Sequence, residues 1–501
     1  MKRLFRLRTL AWLFATLVTL YCLFVAIENW TGARALAAAK DRLAKEGETL
    51  DFALLLPPPI PDSQNFCAIE PLKGLTNPKL PVAAELEALN WSKKQSEWLQ
   101  KHVGASLPQN LSCRLKAAPI DLKTWTAFLA DIGIGKKDAA PAEMLAALDS
   151  AHPLLKRLSD EATLRTKAQF KPQIGEGQEK FTFFELQVPH LNHAQRLGRL
   201  LTLRAHFAIA AGNGPEALRS IQACLRLAEA VGEAPMLLGT LVSYTLHSMA
   251  LEAVWALLHY RIATSTELEL LSTEIQRADY LRMLLQAMRG ELAGGVQTVE
   301  MMTQRPESRV SIMGMVETAS NASGAPHEPS LSSIMGRLIP QGFFQHAEAR
   351  MIELELEHLL LPMKRGGHAP LVESLALLEK EVAKSRELTN PHGWFAGLVL
   401  PAYSSVVRHV YLAETMRRLS LASIQIEKHR LANGTPPATL ESRLLDPIDQ
   451  KPLRYRVEGS GYVIWSIASD GEDDQGRALK KDEKENDARF GADWVWRMPG
   501  R

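Results

Sequence analysis

The pattern of hydrophobic and polar positions begins with an uninterrupted apolar run over residues 9–27. In a helix that rises about 1.5 Å per residue this run is about 28 Å long, close to the roughly 30 Å hydrocarbon thickness of a bilayer. Four basic residues precede the run, and Glu28 follows it. The run therefore predicts one transmembrane helix, with the N-terminus in the cytoplasm and the rest of the chain exported.

A cleavable signal sequence would have a shorter apolar core, followed by small residues at a processing site. The nearest such site, at residues 35–37, lies beyond the charges of Glu28 and Arg34. This order favours an uncleaved anchor, and residues 29–45 predict a helix that continues out of the membrane. We assign residues 1–50 to a cytoplasmic stub, the anchor and this stalk helix.

Prolines at positions 57, 58, 59 and 61 interrupt the helical pattern. Proline lacks an amide donor and disfavours helical geometry in the residue before it, so residues 51–81 predict an extended spacer. Two arrangements stay open. The spacer either holds the folded part away from the bilayer or lies along that part as a strap, with Phe66 as its apolar contact.

Helical periodicity dominates residues 82–400 and predicts a mostly helical exported domain. The clearest helices are predicted at 192–211, 215–231 and 236–260, and others at 266–303, 343–361 and 371–388. The junction at Gly212 to Leu218 resembles a tetratricopeptide-type hairpin, which favours solenoid-like packing without a 34-residue repeat. Residues 171–188 predict a strand pair or a single strand, and residues 305–336 predict a long flexible loop.

The last part of the chain, residues 401–501, predicts a long helix over 402–432 and then a small antiparallel sheet. Apolar residues alternate with polar ones around Tyr455 and around Trp465, and the sequence Gly459-Ser460-Gly461 lies between the two stretches. This spacing predicts a hairpin packed on the preceding helix. The fold class is thus mainly α, with one N-terminal transmembrane helix, a solenoid-like helical bundle and a small C-terminal α+β module.

Residues 423–476 resemble the C-terminal half of the major pseudopilin of bacterial type II secretion. The resemblance is carried by the Asn433-Gly434 turn, the Asp446-Pro447 pair and an Asp-rich loop that opens at Ala468. A pseudopilin has its hydrophobic helix directly before this module, whereas here some four hundred residues intervene, so the resemblance does not imply a pilus subunit. The remainder loosely resembles anchored bacterial envelope proteins, which implies an inner-membrane protein facing the periplasm.

The resemblance also implies a calcium site in the Asp-rich loop. The matching positions are Asp470, Asp473, Asp474 and Asp493. Clustered carboxylates suit calcium, which prefers oxygen ligands, although the spacing of an EF-hand is absent. A solvated acidic turn without a metal is the open alternative.

Composition narrows the function classes. With 46% hydrophobic and 23% charged residues the chain has the composition of a folded protein, and a net charge of +2 gives no reason to expect a nucleic-acid partner. Outside the apolar run three cysteines lack CxxC spacing and do not form a disulfide framework. One bridge, Cys67 to Cys113, stays open, while Cys224 is predicted to be a packed thiol.

The sequence contains no motif that indicates a catalytic site. The stretch at residues 133–137 lacks the first glycine and the Ser/Thr of a phosphate loop, so no nucleotide is expected. His190 and His193 are predicted to be surface residues. No HExxH or GxSxG motif occurs. One amphipathic helix at 343–361 carries His346, Glu348, Glu353, Glu357 and His358. Its acidic residues are predicted to form a solvated face.

These observations predict a single-pass, membrane-anchored envelope protein that binds or scaffolds other envelope proteins and has no catalytic site. Its contact with the membrane is residues 9–27. Two alternatives stay open. One is an envelope hydrolase with a site under the 305–336 loop, and the other is a secretion-apparatus component that contacts a pseudopilus through the C-terminal module.

Overall fold

A computed structural model describes residues 2–77, 80–102, 117–171, 188–304, 339–385, 392, 403–440, 443–468, 470–477 and 493–500. The described part is mainly helical, with one three-stranded sheet. Its helices are α1 Lys2–Lys45, α2 Phe52–Leu55, α3 Ala84–Glu87, α4 Ser92–His102, α5 Leu122–Asp131, α6 Pro141–Ala151, α7 Pro153–Leu164, α8 Pro189–Ala210, α9 Gly214–Gly232, α10 Leu237–Tyr260, α11 Ser265–Gln276, α12 Tyr280–Gln304, α13 Gln341–Glu355, α14 Leu361–Arg365, α15 His368–Ser385 and α16 Tyr403–Asn433.

The N-terminal apolar run forms a helix, as predicted, and this helix continues without a break through the stalk to Lys45. Its apolar part is exposed, with Trp12 at 75% and Phe14 at 70% of their full accessible surface. Farther along, Ala39 and Leu43 are buried in the common core. A second helix, α10, is also long and apolar enough to cross a membrane, but 72% of its most apolar window is buried inside the fold.

The proline-rich segment after α1 lies along the folded part. The Gln169 side chain accepts a hydrogen bond from the Ile60 amide (3.1 Å) and donates one to the Pro58 carbonyl (3.2 Å). A few residues later, the side chain of Phe66 is fully buried, and Asn65 pairs with Lys167 in an isolated bridge. These contacts correspond to the second arrangement left open by the sequence, in which the proline-rich segment lies along the folded part as a strap.

Helices α8, α9 and α10 form the centre of the fold and start and end within three residues of the predicted positions. The turn between α8 and α9 ends at the cap residue Asn213, whose side chain accepts a hydrogen bond from the Glu216 amide. Each of the three helices packs against the other two. On α9, Cys224 is fully buried and free, which confirms the prediction of a packed thiol.

The C-terminal sheet consists of β1 Arg454–Glu458, β2 Gly461–Ser466 and β3 Trp494–Met498, in that order and all antiparallel. The predicted hairpin is confirmed, with Glu458 opposite Gly461 across the turn. Strand β2 packs on α16, where the hydroxyl groups of Tyr462 and Ser423 lie 2.7 Å apart. On the other side, the Trp255 indole of α10 donates to the carbonyl of Arg497 in β3 (2.9 Å), so sheet and bundle share one core.

Two predictions about polar residues are wrong. His190 lies in the first turn of α8 and is only 8% exposed, and its ring packs in a tilted arrangement at 4.8 Å from that of Phe170. Glu348 is 1% exposed rather than solvated, because α1 covers this side of α13. Glu357, one of the other predicted members of that face, is exposed.

Several predictions fall outside the described residues. These are the strand region, of which 172–187 are not described, the 305–336 loop and Cys113. Cys67 itself is buried and free.

Candidate functional site

A series of polar contacts lies where the second half of α1 packs against α13. The two helices cross at Gly32 and Gly342. A Cβ atom added to Gly342 would overlap the carbonyl oxygen of Glu28, and one added to Gly32 would overlap that of Gly342, so only glycine permits this approach. The Asn29 side chain accepts a hydrogen bond from the Gly342 amide at 2.7 Å. We call this region, from Glu28 to Glu48 with its partners, the helix junction.

At the start of the junction, Glu28, His346 and His392 form a cluster. Nε2 of His392 contacts Oε1 of Glu28, and the two imidazole rings lie 4.5 Å apart. Within the described part of the chain this is the one group of three His, Cys, Asp or Glu residues whose ligand atoms all lie within 4.8 Å of one another. Burial and the neighbouring His392 lower the pKa of His346, while Glu28 acts in the opposite direction. The environment of His346 thus favours its neutral imidazole, which is the form that binds metal ions.

Farther along α1, Lys40 joins two glutamates from different helices. Its Nζ lies 2.7 Å from Glu300 of α12 and 3.2 Å from Glu348 of α13. Burial raises the pKa of Glu348 to about 7, although the Lys40 ammonium partly opposes this effect. These two ion pairs of Lys40 anchor the stalk to the bundle in the middle of the junction.

The junction ends at Glu48, whose side chain is 3% exposed. Arg289 of α12 binds both carboxylate oxygens, at 2.7 and 2.9 Å, and Lys364 of α14 lies 3.1 Å away. These cations hold the pKa of Glu48 below its usual value in spite of its burial. The stalk is therefore fixed to the folded part at both ends and in the middle.

Behind the junction, a second polar group lies wholly inside the core. The Tyr403 hydroxyl donates to Glu355 Oε1 at 3.2 Å, and Glu355 Oε2 has no hydrogen-bond partner among the described residues. Burial raises the pKa of Glu355 to about 8, and the nearby Glu291 adds to the shift. Glu355 is therefore largely protonated at neutral pH.

The four aspartates predicted to bind calcium have other partners. Asp473 accepts from the Trp465 indole (2.9 Å) and lies 3.7 Å from Arg454, while Asp474 lies 3.8 Å from Arg477. Asp470 caps its own turn at the Glu472 amide. Asp493 accepts from the Gly476 amide, and burial raises its pKa to about 6. Calcium binding at this loop stays a prediction.

His190, which was predicted to be a surface residue, has a structural role in the core. His190 helps to line a mostly apolar cavity beneath the proline-rich strap, with Glu233 and Gln169 among its few polar neighbours. Burial lowers the pKa of His190 to about 4, so the ring is neutral.

The Glu28, His346 and His392 cluster could not be predicted from the sequence, because 364 residues separate Glu28 from His392 and no local motif links them.

The glycine crossing gives a direct test of the junction. Gly342→Ala is expected to lower the free energy of unfolding of the detergent-solubilised protein by about 1–3 kcal/mol, because the added methyl group forces the helices apart. Gly74→Ala is the matched control, since a Cβ there makes only an ordinary contact of 3.9 Å with Leu80. Equal stability of the two variants by chemical denaturation would show that the helices do not pack so closely.

Comparisons with protein families, with curated proteins and with solved structures find no match to this chain. The similarity of residues 423–476 to the major pseudopilin stays a prediction from the sequence.

Proposed function

We propose that this chain is a single-pass inner-membrane protein that holds a helical, partner-binding domain directly at the periplasmic surface. One observation carries the proposal: α1 changes from fully exposed apolar surface to buried, ion-paired surface within a single unbroken helix. An exposed apolar helix of this length needs a lipid environment. The basic residues at its start favour the cytoplasm for the N-terminus.

The helix junction supports a scaffolding role. A protein that only needs a membrane address can use a flexible linker, whereas here Lys40 and Glu48 tie the stalk to α12, α13 and α14. The fixed stalk would set the height and orientation of the domain above the bilayer. Solenoid-like stacking of α8, α9 and α10 would then present an extended surface to other envelope proteins.

The membrane assignment predicts that the protein stays with the membrane pellet after alkaline extraction and has the mass of the uncleaved chain. Protease added outside spheroplasts should degrade the exported domain. A soluble form that lacks the first residues would instead identify a cleaved signal sequence and contradict the proposed anchor.

The scaffolding role is tested by cross-linking in membranes, affinity purification and identification of the captured proteins. Arg289→Met removes the bidentate ion pair with Glu48 and should reduce the amount of captured partner protein several-fold, while the variant itself stays in the membrane pellet. Lys93→Met is the control, because the Lys93 side chain is 90% exposed and far from the junction in sequence. Undiminished capture by Arg289→Met would show that a fixed stalk is not required, and capture of pseudopilus components would identify the secretion-apparatus role.

A further inference from the structure

Three separate segments of the chain bring potential metal ligands together at the start of the helix junction. Glu28 comes from α1, His346 from α13 and His392 from the segment between α15 and α16. We propose that these three side chains bind one divalent transition-metal ion of the zinc class. The proposal concerns metal binding alone and stands whether or not the chain is a scaffold.

The ligand set selects the metal class. Zn²⁺ and the other late first-row divalent ions bind imidazole nitrogen as well as carboxylate oxygen, and this cluster offers two such nitrogens and one such oxygen. Calcium and magnesium prefer sites made of oxygen ligands alone. The carboxylate supplies one negative charge to offset the charge of the ion. With three protein ligands, a tetrahedral ion keeps a fourth position for water or for a group from a partner.

The spacing of the cluster suits such an ion after small movements. In a tetrahedral site with bonds of about 2.0–2.2 Å, ligand atoms lie roughly 3.3 Å from one another. The ligand atoms of Glu28, His346 and His392 all lie within 4.8 Å of one another. Tetrahedral spacing therefore requires each separation to shorten by at most about 1.5 Å, a distance that rotation of partly buried side chains can supply.

A further hydrogen bond prepares His346 for coordination. The Thr31 hydroxyl donates to the Ile27 carbonyl at 2.9 Å, and it lies 3.1 Å from Nε2 of His346. Because the hydroxyl hydrogen is used by the backbone, the Thr31 oxygen accepts from Nε2–H. His346 is then the tautomer whose Nδ1 carries the free lone pair, and a second hydrogen-bonded nitrogen is typical of histidines that bind metals.

Metal binding at this position would join the first turn of the stalk to two parts of the domain. The Gly32 and Gly342 crossing and the contact of Asn29 with the Gly342 amide hold two of the three segments in place. The ion would add the third, because His392 otherwise contacts only Glu28 and neighbouring rings among the described residues.

The test uses the untagged full chain in detergent after treatment with a chelator. Zn²⁺ titration by calorimetry and metal analysis after dialysis should give one equivalent per chain, and Co²⁺ should give the visible absorption of a tetrahedral site. His346→Ala and His392→Ala should each weaken binding by more than about a hundredfold, and Glu28→Gln by at least about tenfold. His429→Ala is the control, because His429 is exposed on α16, and its affinity should equal that of the wild type.

A second readout separates lost binding from lost folding. Zn²⁺ should raise the melting temperature of the wild type and of His429→Ala but not that of His346→Ala or His392→Ala, whose helical circular dichroism should match the wild type. Absence of a bound equivalent in the wild type would overturn the proposal. So would full affinity in the two histidine variants, which would identify the cluster as a metal-free hydrogen-bonded group.

Discussion

Replacing Glu274 with alanine is expected to lower the free energy of unfolding by about 3–5 kcal/mol. Glu274 of α11 binds Arg226 of α9 through both carboxylate oxygens, at 2.6 and 2.8 Å. Their side chains are 8% and 2% exposed, so loss of the carboxylate leaves a buried guanidinium. Glu229, at 3.4 Å, and the Arg165 carbonyl, at 3.2 Å, compensate only in part.

Chemical denaturation of the detergent-solubilised protein, followed by tryptophan fluorescence, measures this loss. Glu97→Ala is the control, because it removes a glutamate from an exposed pair with Lys93 and should cost no more than about 0.5 kcal/mol. The double variant Arg226→Met/Glu274→Leu should recover most of the loss, since no charge remains buried. A small effect of Glu274→Ala together with no recovery in the double variant would show that the pair is solvated.

Replacing Glu355 with glutamine is expected to remove a pH dependence of stability. Burial raises the pKa of Glu355 from its ordinary value of 4.5 to about 8. Between these two values the folded chain holds a proton that the unfolded chain has released. The stabilising contribution of the protonated group is therefore complete below about pH 4.5 and is lost at about 1.4 kcal/mol per pH unit as the pH rises towards 8.

Glutamine keeps the oxygen that accepts from Tyr403 but has no proton to lose. The free energy of unfolding of Glu355→Gln, relative to the wild type, should thus increase steadily from pH 5 to pH 8 in denaturation curves. Glu357→Gln changes an exposed glutamate just after the same helix and serves as the control. A difference between Glu355→Gln and the wild type that stays constant over this range would show that Glu355 is already ionised in the folded protein.

The helices that could be predicted from the sequence are those whose signals are local. Around α9, the cap at Asn213 and the proline at position 215 mark the start, and apolar residues at helical spacing mark the buried face. The β1–β2 hairpin was equally accessible, because its glycine turn and its alternating residues lie within fifteen positions. Strand β3 was not predicted, although Trp494, Trp496 and Met498 also alternate as buried residues.

Burial of the polar residues could not be predicted, because their partners are distant in sequence. Glu348 and Glu353 are both glutamates of one amphipathic helix, and packing of α1 against this helix makes Glu348 an interior residue, where Lys40 is its ion-pair partner. The same reason hides the proposed metal site. Neither Glu28 nor His392 belongs to a motif, and the crossing of Gly32 over Gly342 brings only Glu28 and His346 together, while His392 comes from a third segment.

The unbroken course of α1 has a mechanical consequence in the proposed topology. The eighteen residues from 28 to 45 extend about 27 Å beyond the bilayer as a rigid continuation of the embedded helix. Transmembrane helices change their tilt when the bilayer becomes thicker or thinner. A change of about 10° in tilt would displace the far end of this lever by about 5 Å, and the domain fixed to it would move with the lipid environment.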